Sequence, residues 1–481
     1  MSTQTTPIAV QEAPTLFVIF GMTGDLARKK LIPALLDLYS KGLMPATFKI
    51  LGFSRRAFSD EAFRAFVTEA LLLKKHTHPD ATVKDFLSHI EYIQGTFDSD
   101  ESYQSLKMRL DAEDRVFVQC SNKLFYLAVP PSLYEGILTH IADADLAKEC
   151  SPHTDGMITC TGWSRILIEK PFGRDTDTAR TLDMMLGKLF REDQIFRIDH
   201  YLAKEALQNI LAFRFSNGLF MPVWNKEHIE QVHIKLFESN DVSGRGAFYN
   251  DIGALRDVGQ NHLLQMLALI AMENPHVFDA ESIRIARAHV LDALIPLDKK
   301  GSIVHGQYKG FTEEECIDTN SCTETYFKMH TFLSLKEWEG VPFILESGKA
   351  LPESKTEISI HFKAPEYPYK ITQGVECSNK LTFTIQPDER IEVVFWTKTP
   401  GLNDEVEQQP LSFSYADTDG PSFLSDAYER VLFDCIRGDQ TLFTSTKEVC
   451  AAWKYITPLF DYLDNKKIHI YEKGTLPDIT E

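Results

Sequence analysis

The stretch RIDHYLAKE, residues 197–205, sets Asp199 beside His200, with Tyr201 and Lys204 close behind. An imidazole, a phenol and an ammonium all donate hydrogen bonds and together carry positive charge, which suits a phosphate. If a helix starts at Asp199, His200 and Lys204 stand at i and i+4 on one face, with Tyr201 beside them and the helix N-terminus facing the anion. A surface helix with i,i+4 charge pairs has the same spacing. Asp199 would repel a phosphate and must serve another partner.

A second group lies in GALRDVGQNHLLQMLALIAME, residues 253–273. The C-terminal half is apolar almost all round and therefore buried. The N-terminal half carries Arg256, Asp257, Gln260, Asn261 and His262. A buried neutral histidine, with an ordinary pKa of about 6.5, can take a proton near neutral pH. A core histidine bonded to backbone fits the same pattern. In a regular helix Asp257 and His262, five apart, point about 140° from each other. They would approach a ligand from two sides, and the group that orients His262 must come from elsewhere. Asp199 is the candidate.

GMTGDLA, residues 21–27, falls between an apolar run and a helical segment, where a phosphate cradle sits in dinucleotide-binding units. Gly21 permits the tight turn, Gly24 a close backbone approach, and Ala27 close packing of helix on sheet. The middle glycine of the usual fingerprint is missing, so an ordinary strand-to-helix loop is the alternative. The second strand ends in Ser54, Arg55 and Arg56 rather than a carboxylate. A guanidinium accepts a ribose 2′-phosphate that a carboxylate would repel, so NADP is expected over NAD. Exposed arginines that merely solvate a loop would look the same. IEKPFG, 168–173, places Glu169 and Lys170 at a buried strand's carboxyl end, where open α/β sheets bind ligands.

The elements that must position these groups change character along the chain. LFVIF (16–20), FKILGF (48–53), LFYLAV (124–129) and RILIEK (165–170) read as buried strands alternating with helices, hence a parallel, Rossmann-type sheet. LARKKLIPALLDLYSKG reads as the first helix, kinked at Pro33 and stopped at Gly42. After about residue 200 two-residue periodicity takes over in QVHIKLFE (231–238), TEISIHFKA (356–364), KLTFTIQP (380–387) and RIEVVFWTK (390–398), the last two joined by a tight hairpin. SDAYERVLFDCI (425–436) is helical. The expected organisation is a tail at 1–14, an α/β NADP-binding domain at 15–198, and an α+β domain at 199–481 with a large, mainly antiparallel sheet for substrate binding and oligomerisation.

Composition narrows the function. The 481 residues are 43% hydrophobic and 25% charged, with a net charge of −19 and a pI near 5.3. Nucleic acid and acidic membranes need an electropositive face, so neither is an expected partner. The first fourteen residues lack the basic and apolar regions of a signal peptide. No apolar run reaches the roughly 20 residues that span a bilayer. Eight cysteines, without CxxC or zinc spacing, point to reduced thiols, a cytoplasmic protein and no metal.

GMTGDLARKK, NKLFYLAVPPSLY, IEKPFGRD, FREDQIFRIDHYLAKE, RDVGQNHLLQM, VPFILESGKAL, IQPDE and DAYERVLFDCIRGDQ together resemble, in order, the glucose-6-phosphate dehydrogenase family over roughly residues 16–461. The resemblance implies oxidation of the C1 hydroxyl of β-D-glucose 6-phosphate to the 6-phospho-lactone, with hydride passed to NADP. It makes His262 the general base and Asp199 the carboxylate that orients it. His200, Tyr201, Lys204 and Lys349 become phosphate ligands, Glu238 and Asp257 hold sugar hydroxyls, and Gln386 lies on the substrate side. Lys170 contacts both ligands. Gly21, Met22, Thr23, Gly24, Asp25, Leu26, Ala27, Arg28, Arg55 and Tyr126 fall to the NADP site. A homodimer or homotetramer joined through the second domain's sheet is implied as well.

Three positions depart from the family pattern. Ala203 replaces the glycine of D-H-Y-L-G-K. Gly259 replaces a bulkier apolar residue, at a cost of roughly 0.5–1 kcal/mol relative to Ala in a helix. Ser354 stands where a second basic residue often follows Lys349, so Lys355 is expected to substitute. The short C-terminus predicts that the structural second NADP site of the animal enzymes is absent. Two other functions would use parts of this set. A dehydrogenase of another hexose needs no joint His200, Tyr201 and Lys204. A non-catalytic NADP sensor needs no base.

Overall fold

The computed structural model describes residues 13–73, 78–148, 162–366, 377–402, 405–414 and 426–479. The expected tail, apart from residues 13 and 14, lies outside this set. The chain forms two compact units. The first comprises Met1–Phe172, Arg180–Ala203 and Ser425–Thr446; the second comprises Gly173–Ala179, Lys204–Leu424 and Lys447–Glu481. One division falls between Ala203 and Lys204, and the chain returns to the first unit after Leu424. The helix Ala427–Arg437, expected in the second domain, lies in the first unit.

The first unit is built on β1 (Thr15–Phe20), β2 (Phe48–Ser54), β3 (Ile90–Gln94), β4 (Asn122–Leu127), β5 (Ser164–Glu169) and β6 (Ile195–Ile198). They pair in the order β6-β5-β4-β1-β2-β3, all parallel. A two-residue strand, Phe443–Thr444, adds antiparallel to β6 and ties the returning segment to the sheet edge. Every residue of β1 and β4 is buried, which is why both read as unbroken apolar runs rather than alternating ones. Strand order reverses between β1 and β4, the place where such sheets open a crevice at their carboxyl ends. After β1, helical bonding runs from Asp25 to Ser40. Pro33 does not break it. Over Ala27–Leu31, just ahead of the proline, the ladder widens to i→i+5, the register change that accommodates a disturbed N–H ladder.

The second unit holds a nine-stranded sheet among the described residues. Its strands include β7 (Ile229–Phe237), β8 (Ser302–Tyr308), β9 (Tyr326–Thr331), β10 (Phe343–Gly348), β11 (Lys355–Phe362), β12 (Lys380–Gln386), β13 (Arg390–Lys398) and β14 (Val406–Ser414). Pairing is antiparallel except between β7 and β10 and between β8 and the last strand, His469–Tyr471. The hairpin between β12 and β13 forms as expected.

A long helix packs on β7 and β10. It runs in i→i+5 register over Leu255–Leu263 and as a regular helix over Leu264–Ala271. Side chains take the last carbonyls at its C-terminal end. Arg214 donates to Leu269 O at 2.5 Å and Met272 O at 2.6 Å, Trp224 Nε1 to Ile270 O at 2.8 Å, and Trp338 Nε1 to Ala271 O at 2.9 Å. Burial depresses the Arg214 guanidinium to about 9, while its charge faces the negative end of the helix dipole. Gly259 has a packing reason: a Cβ there would lie 2.9 Å from Phe327 Cζ and Leu255 Cδ1. The ring of Phe327 on β9 occupies the space that a bulkier residue would need.

Cys120 is disulfide-bonded, against the expectation of reduced thiols, which rested on spacing and not on which residues the fold brings close. Cys316, Cys322, Cys377, Cys435 and Cys450 are free. Among the described residues no helix is long and apolar enough to cross a membrane.

Candidate active site

In the first unit the expected cofactor residues gather at the carboxyl ends of β1, β2 and β4. Gly21 adopts φ +77°, and a Cβ there would lie 2.5 Å from Ala128 O, so glycine is required. Its N–H donates to Phe53 O at 2.9 Å, and Gly21 O accepts from Gly24 N at 2.8 Å, which closes the turn. Met22 and Ala27 are buried against the sheet, Asp25 pairs with Lys29 at 2.9 Å in solvent, and Thr23 Oγ1 donates to Ser54 Oγ at 3.3 Å. Arg28 lies with its guanidinium carbon 5.3 Å from the Phe66 ring centre. Arg55 and Arg56 are exposed, yet their backbone is held: Tyr92 OH donates to Ser54 O and Arg56 O, and Gln94 Nε2 to Arg55 O. A cradle that only glycine fits, flanked by two exposed guanidiniums on a fixed backbone, suits a dinucleotide with an extra phosphate.

Tyr126 is fully buried and donates to Glu169 Oε1 at 2.6 Å, while Tyr134 OH donates to Glu169 O at 3.0 Å. Loss of water pushes the Glu169 carboxyl up to about 7, against the pull of Tyr126 and Lys170. Glu169 thus joins the candidate site through Tyr126. The E-K-P triplet at the strand end marked it in the sequence without giving it a role. Lys170 follows it and precedes Pro171 through a cis peptide bond.

Asp199 follows β6 and is 2% exposed. The helix expected from Asp199 begins only at Glu205. Asp199 Oδ1 instead accepts from Tyr201 N at 3.0 Å and Asp199 O from Leu202 N at 3.1 Å, so its side chain competes for the backbone and makes a turn. His200 stacks on Tyr428 at 6.4 Å between ring centres and meets Tyr201 at 5.1 Å. The i,i+4 geometry inferred for His200 and Lys204 therefore does not arise.

Lys204 opens the second unit as the N-cap of the helix Glu205–Ser216. One N–H of that N-terminus is already used: Ala206 N donates to Glu389 Oε2 at 2.8 Å. Glu389 sits in the β12–β13 turn, so the same bond ties Gln386, exposed at the end of β12, to the Lys204 helix.

Lys349, just after β10, is 6% exposed. Its ammonium is hydrogen-bonded to Glu238 and lies 3.6 Å from Asp257 Oδ2. It also lies 5.3 Å from the Tyr249 ring centre. Lys349 was expected with the phosphate ligands; the structure sets it between the two carboxylates expected to hold sugar hydroxyls. Two carboxyl groups held by one ammonium offer oxygens that can accept from neighbouring hydroxyls. Lys355 does not join them. Its ammonium pairs with Glu357 at 2.6 Å, along the strand that carries it. Ser354 bonds Ser239 through both Ser239 N and Oγ, next to Glu238.

His262 is 1% exposed on the helix described above. The i→i+5 register brings positions five apart closer around the axis than the about 140° of a regular helix. Asp257 and His262 therefore present more nearly to one side than their spacing predicted. Sequence reasoning missed Glu324, Glu389 and Tyr249, which touch these groups across long separations and carry no local motif.

Models of two domains match the chain: "Glucose-6-phosphate dehydrogenase, NAD binding domain" over residues 18–209 and "Glucose-6-phosphate dehydrogenase, C-terminal domain" over 211–478. The glucose-6-phosphate 1-dehydrogenase of Aggregatibacter actinomycetemcomitans is 41% identical over 473 residues, covering 95% of this chain and 93% of its own. The chloroplastic enzyme of Spinacia oleracea is 36% identical, covering 97% and 82%. A solved glucose-6-phosphate dehydrogenase in complex with its substrate glucose-6-phosphate superposes with a TM-score of 0.88 at 35% identity, covering 97% of this chain and 96% of that one. Motif order, fold and whole-length similarity agree, and the chain belongs to the glucose-6-phosphate dehydrogenase family.

Proposed function

We propose that the protein oxidises β-D-glucose 6-phosphate at C1 to 6-phospho-D-glucono-1,5-lactone with NADP, the first oxidative step of the pentose phosphate pathway. The observation that carries this reading is the Glu238–Lys349–Asp257 cluster, a polyol-binding set in the unit that also holds the buried His262. NADP, when bound, supplies the hydride acceptor. Gly21 to Arg28 would cradle its diphosphate, Arg55 its 2′-phosphate, and Tyr126 and Lys170 its nicotinamide side. Glu238 and Asp257 accept from the sugar hydroxyls. His262 takes the O1 proton as C1 is oxidised, and Asp199 orients its imidazole and stabilises the imidazolium. His200, Tyr201 and Lys204 grip the phosphate, and Gln386 lies on the substrate side. Binding energy from that remote phosphate helps to orient C1. Lys349 is proposed to act at the phosphate end of this cluster, between the carboxylates and the sugar phosphate. A homodimer or homotetramer in the cytoplasm is proposed with this function.

The test is NADP reduction followed at 340 nm with glucose 6-phosphate, galactose 6-phosphate and free glucose, repeated with NAD. Turnover of glucose 6-phosphate well above the other two is expected. Protein that binds NADP yet fails to oxidise glucose 6-phosphate would leave a non-catalytic NADP-binding module, and preference for another hexose would reassign the substrate.

A further inference from the structure

The helix bearing Asp257 and His262 keeps i→i+5 register for nine residues, Leu255–Leu263, whereas such geometry ordinarily lasts a single turn. A stretch in a sparsely populated conformation persists only where its surroundings fix it. The regular helix that continues it, Leu264–Ala271, is fixed at its C-terminal end by Arg214, Trp224 and Trp338. At the N-terminal end the fixing group is Glu324, from the loop before β9. Its carboxylate Oε1 accepts from Leu255 N at 2.9 Å and its backbone O accepts from Ala254 N at 3.0 Å. Glu324 is 8% exposed. Gly253, at φ +72°, makes room for it: a Cβ there would lie 2.4 Å from both carboxylate oxygens. Arg256, the adjacent cation, is directed elsewhere, with Nε on Arg174 O at 3.2 Å and its guanidinium 3.5 Å from the Phe460 ring centre.

We propose that Glu324 is a positioning residue, whose carboxylate on the Leu255 N–H holds the i→i+5 register that sets Asp257 and His262 for substrate. The proposal rests on reading those two residues as substrate groups. A negative group at a helix N-terminus is stabilising, and a hydrogen bond to a charged acceptor is stronger than one to a neutral acceptor. Loss of that charge lets the first turn slip toward regular register, which rotates His262 relative to Asp257.

The groups that face Glu324 are Arg256 on the helix, Asp464 at the end of the helix Thr446–Asp464, and Tyr249, whose phenol also senses Asp257 and Glu238. Burial pushes the Glu324 carboxyl up to about 7, opposed by the Leu255 N–H and Arg256. A carboxyl raised in the folded state contributes stability below its unfolded pKa and loses it as pH rises through the folded value. Burial thus outweighs the local gain from the Leu255 N–H, so ionising Glu324 costs overall stability while it holds the register, a trade a purely structural group would not show.

Glu324→Gln keeps the acceptor and removes the charge. With glucose 6-phosphate at pH 8, kcat should fall about tenfold, the effect of weakening one charge-assisted hydrogen bond. KM for the sugar phosphate should rise while KM for NADP stays unchanged. At pH 6, where Glu324 in the parent is largely protonated, the two proteins should converge in kcat. The melting temperature of the variant at pH 8 should equal or exceed that of the parent. Equal kcat at pH 8, or a kcat loss matched by a lower melting temperature, overturns the proposal. Should the glutamine variant not fold, Gly253→Ala crowds the same carboxylate and should reproduce the kcat loss; full activity there overturns it too. A parent inactive with glucose 6-phosphate sinks the functional reading itself, whereas an active parent with an unchanged variant sinks this inference alone.

Discussion

The nucleotide-side and sugar-side groups are held in opposite ways. In the first unit the backbone is fixed and the charges are left in solvent: Arg55 and Arg56 are exposed on a chain pinned by Tyr92 and Gln94. In the second unit the charges are already matched, with Lys349 between Glu238 and Asp257 and Glu389 on a helix N-terminus. The difference fits the ligand proposed for each. A dinucleotide phosphate brings its own charge, so a preset backbone and free guanidiniums suffice. Sugar hydroxyls are neutral, so carboxylates proposed to accept from them are matched by a resident cation instead of by the ligand.

Four substitutions probe this difference between the two sides. His262→Asn should lower kcat by about 10³-fold, in the range of general-base removal, while calorimetry still detects glucose 6-phosphate binding; a KM-only defect would mean that His262 is not the base. Lys349→Met leaves two carboxylates facing each other. It should raise KM for glucose 6-phosphate by about 10²-fold and lower stability by less than the roughly 3–5 kcal/mol of a fully buried pair, because Glu238 keeps water contact. A denaturant titration beside steady-state kinetics separates the two effects.

On the nucleotide side, Arg55→Ser should reduce kcat/KM for NADP by about tenfold, the loss of one charge-assisted contact, with NAD unaffected and stability unchanged because the side chain is exposed. An equal loss with both cofactors would assign Arg55 to the diphosphate instead. The smallest effect belongs to Lys355→Ala. Its ammonium pairs along its own strand with Glu357, and a partly exposed pair of this kind is worth about 0–1 kcal/mol. Less than a twofold change in KM is expected; a tenfold rise would restore Lys355 to the phosphate site.

Legibility in the sequence differed between the two units for the same physical reason. The turn after β1 sits inside one strand–loop–helix segment, so Gly21, Gly24 and Ala27 could be placed from spacing alone. The buried strands β1, β2, β4 and β5 read as continuous apolar runs. Strand β6, only four residues long, and the Phe443–Thr444 strand that closes the sheet edge gave no periodic pattern. In the second unit β7 and β11 to β13 alternated clearly, whereas β8 to β10 did not, and the functional contacts join residues as far apart as Glu238 and Lys349. Lys355 was placed by proximity in sequence to Lys349; its ammonium pairs along the strand with Glu357.

The sequence by itself determined which chemical groups are present, that the chain begins with a parallel-sheet nucleotide unit, and which family it resembles, because these depend on composition, local periodicity and motif order. Tertiary structure alone decided the course of the long helix: Leu255–Leu263 widens to i→i+5 with Glu324 at its start, and the regular helix that continues it to Ala271 ends on Arg214, Trp224 and Trp338. In the long helix, side chains distant in sequence supply the hydrogen bonds that end it, and no regularity within the segment itself encodes them.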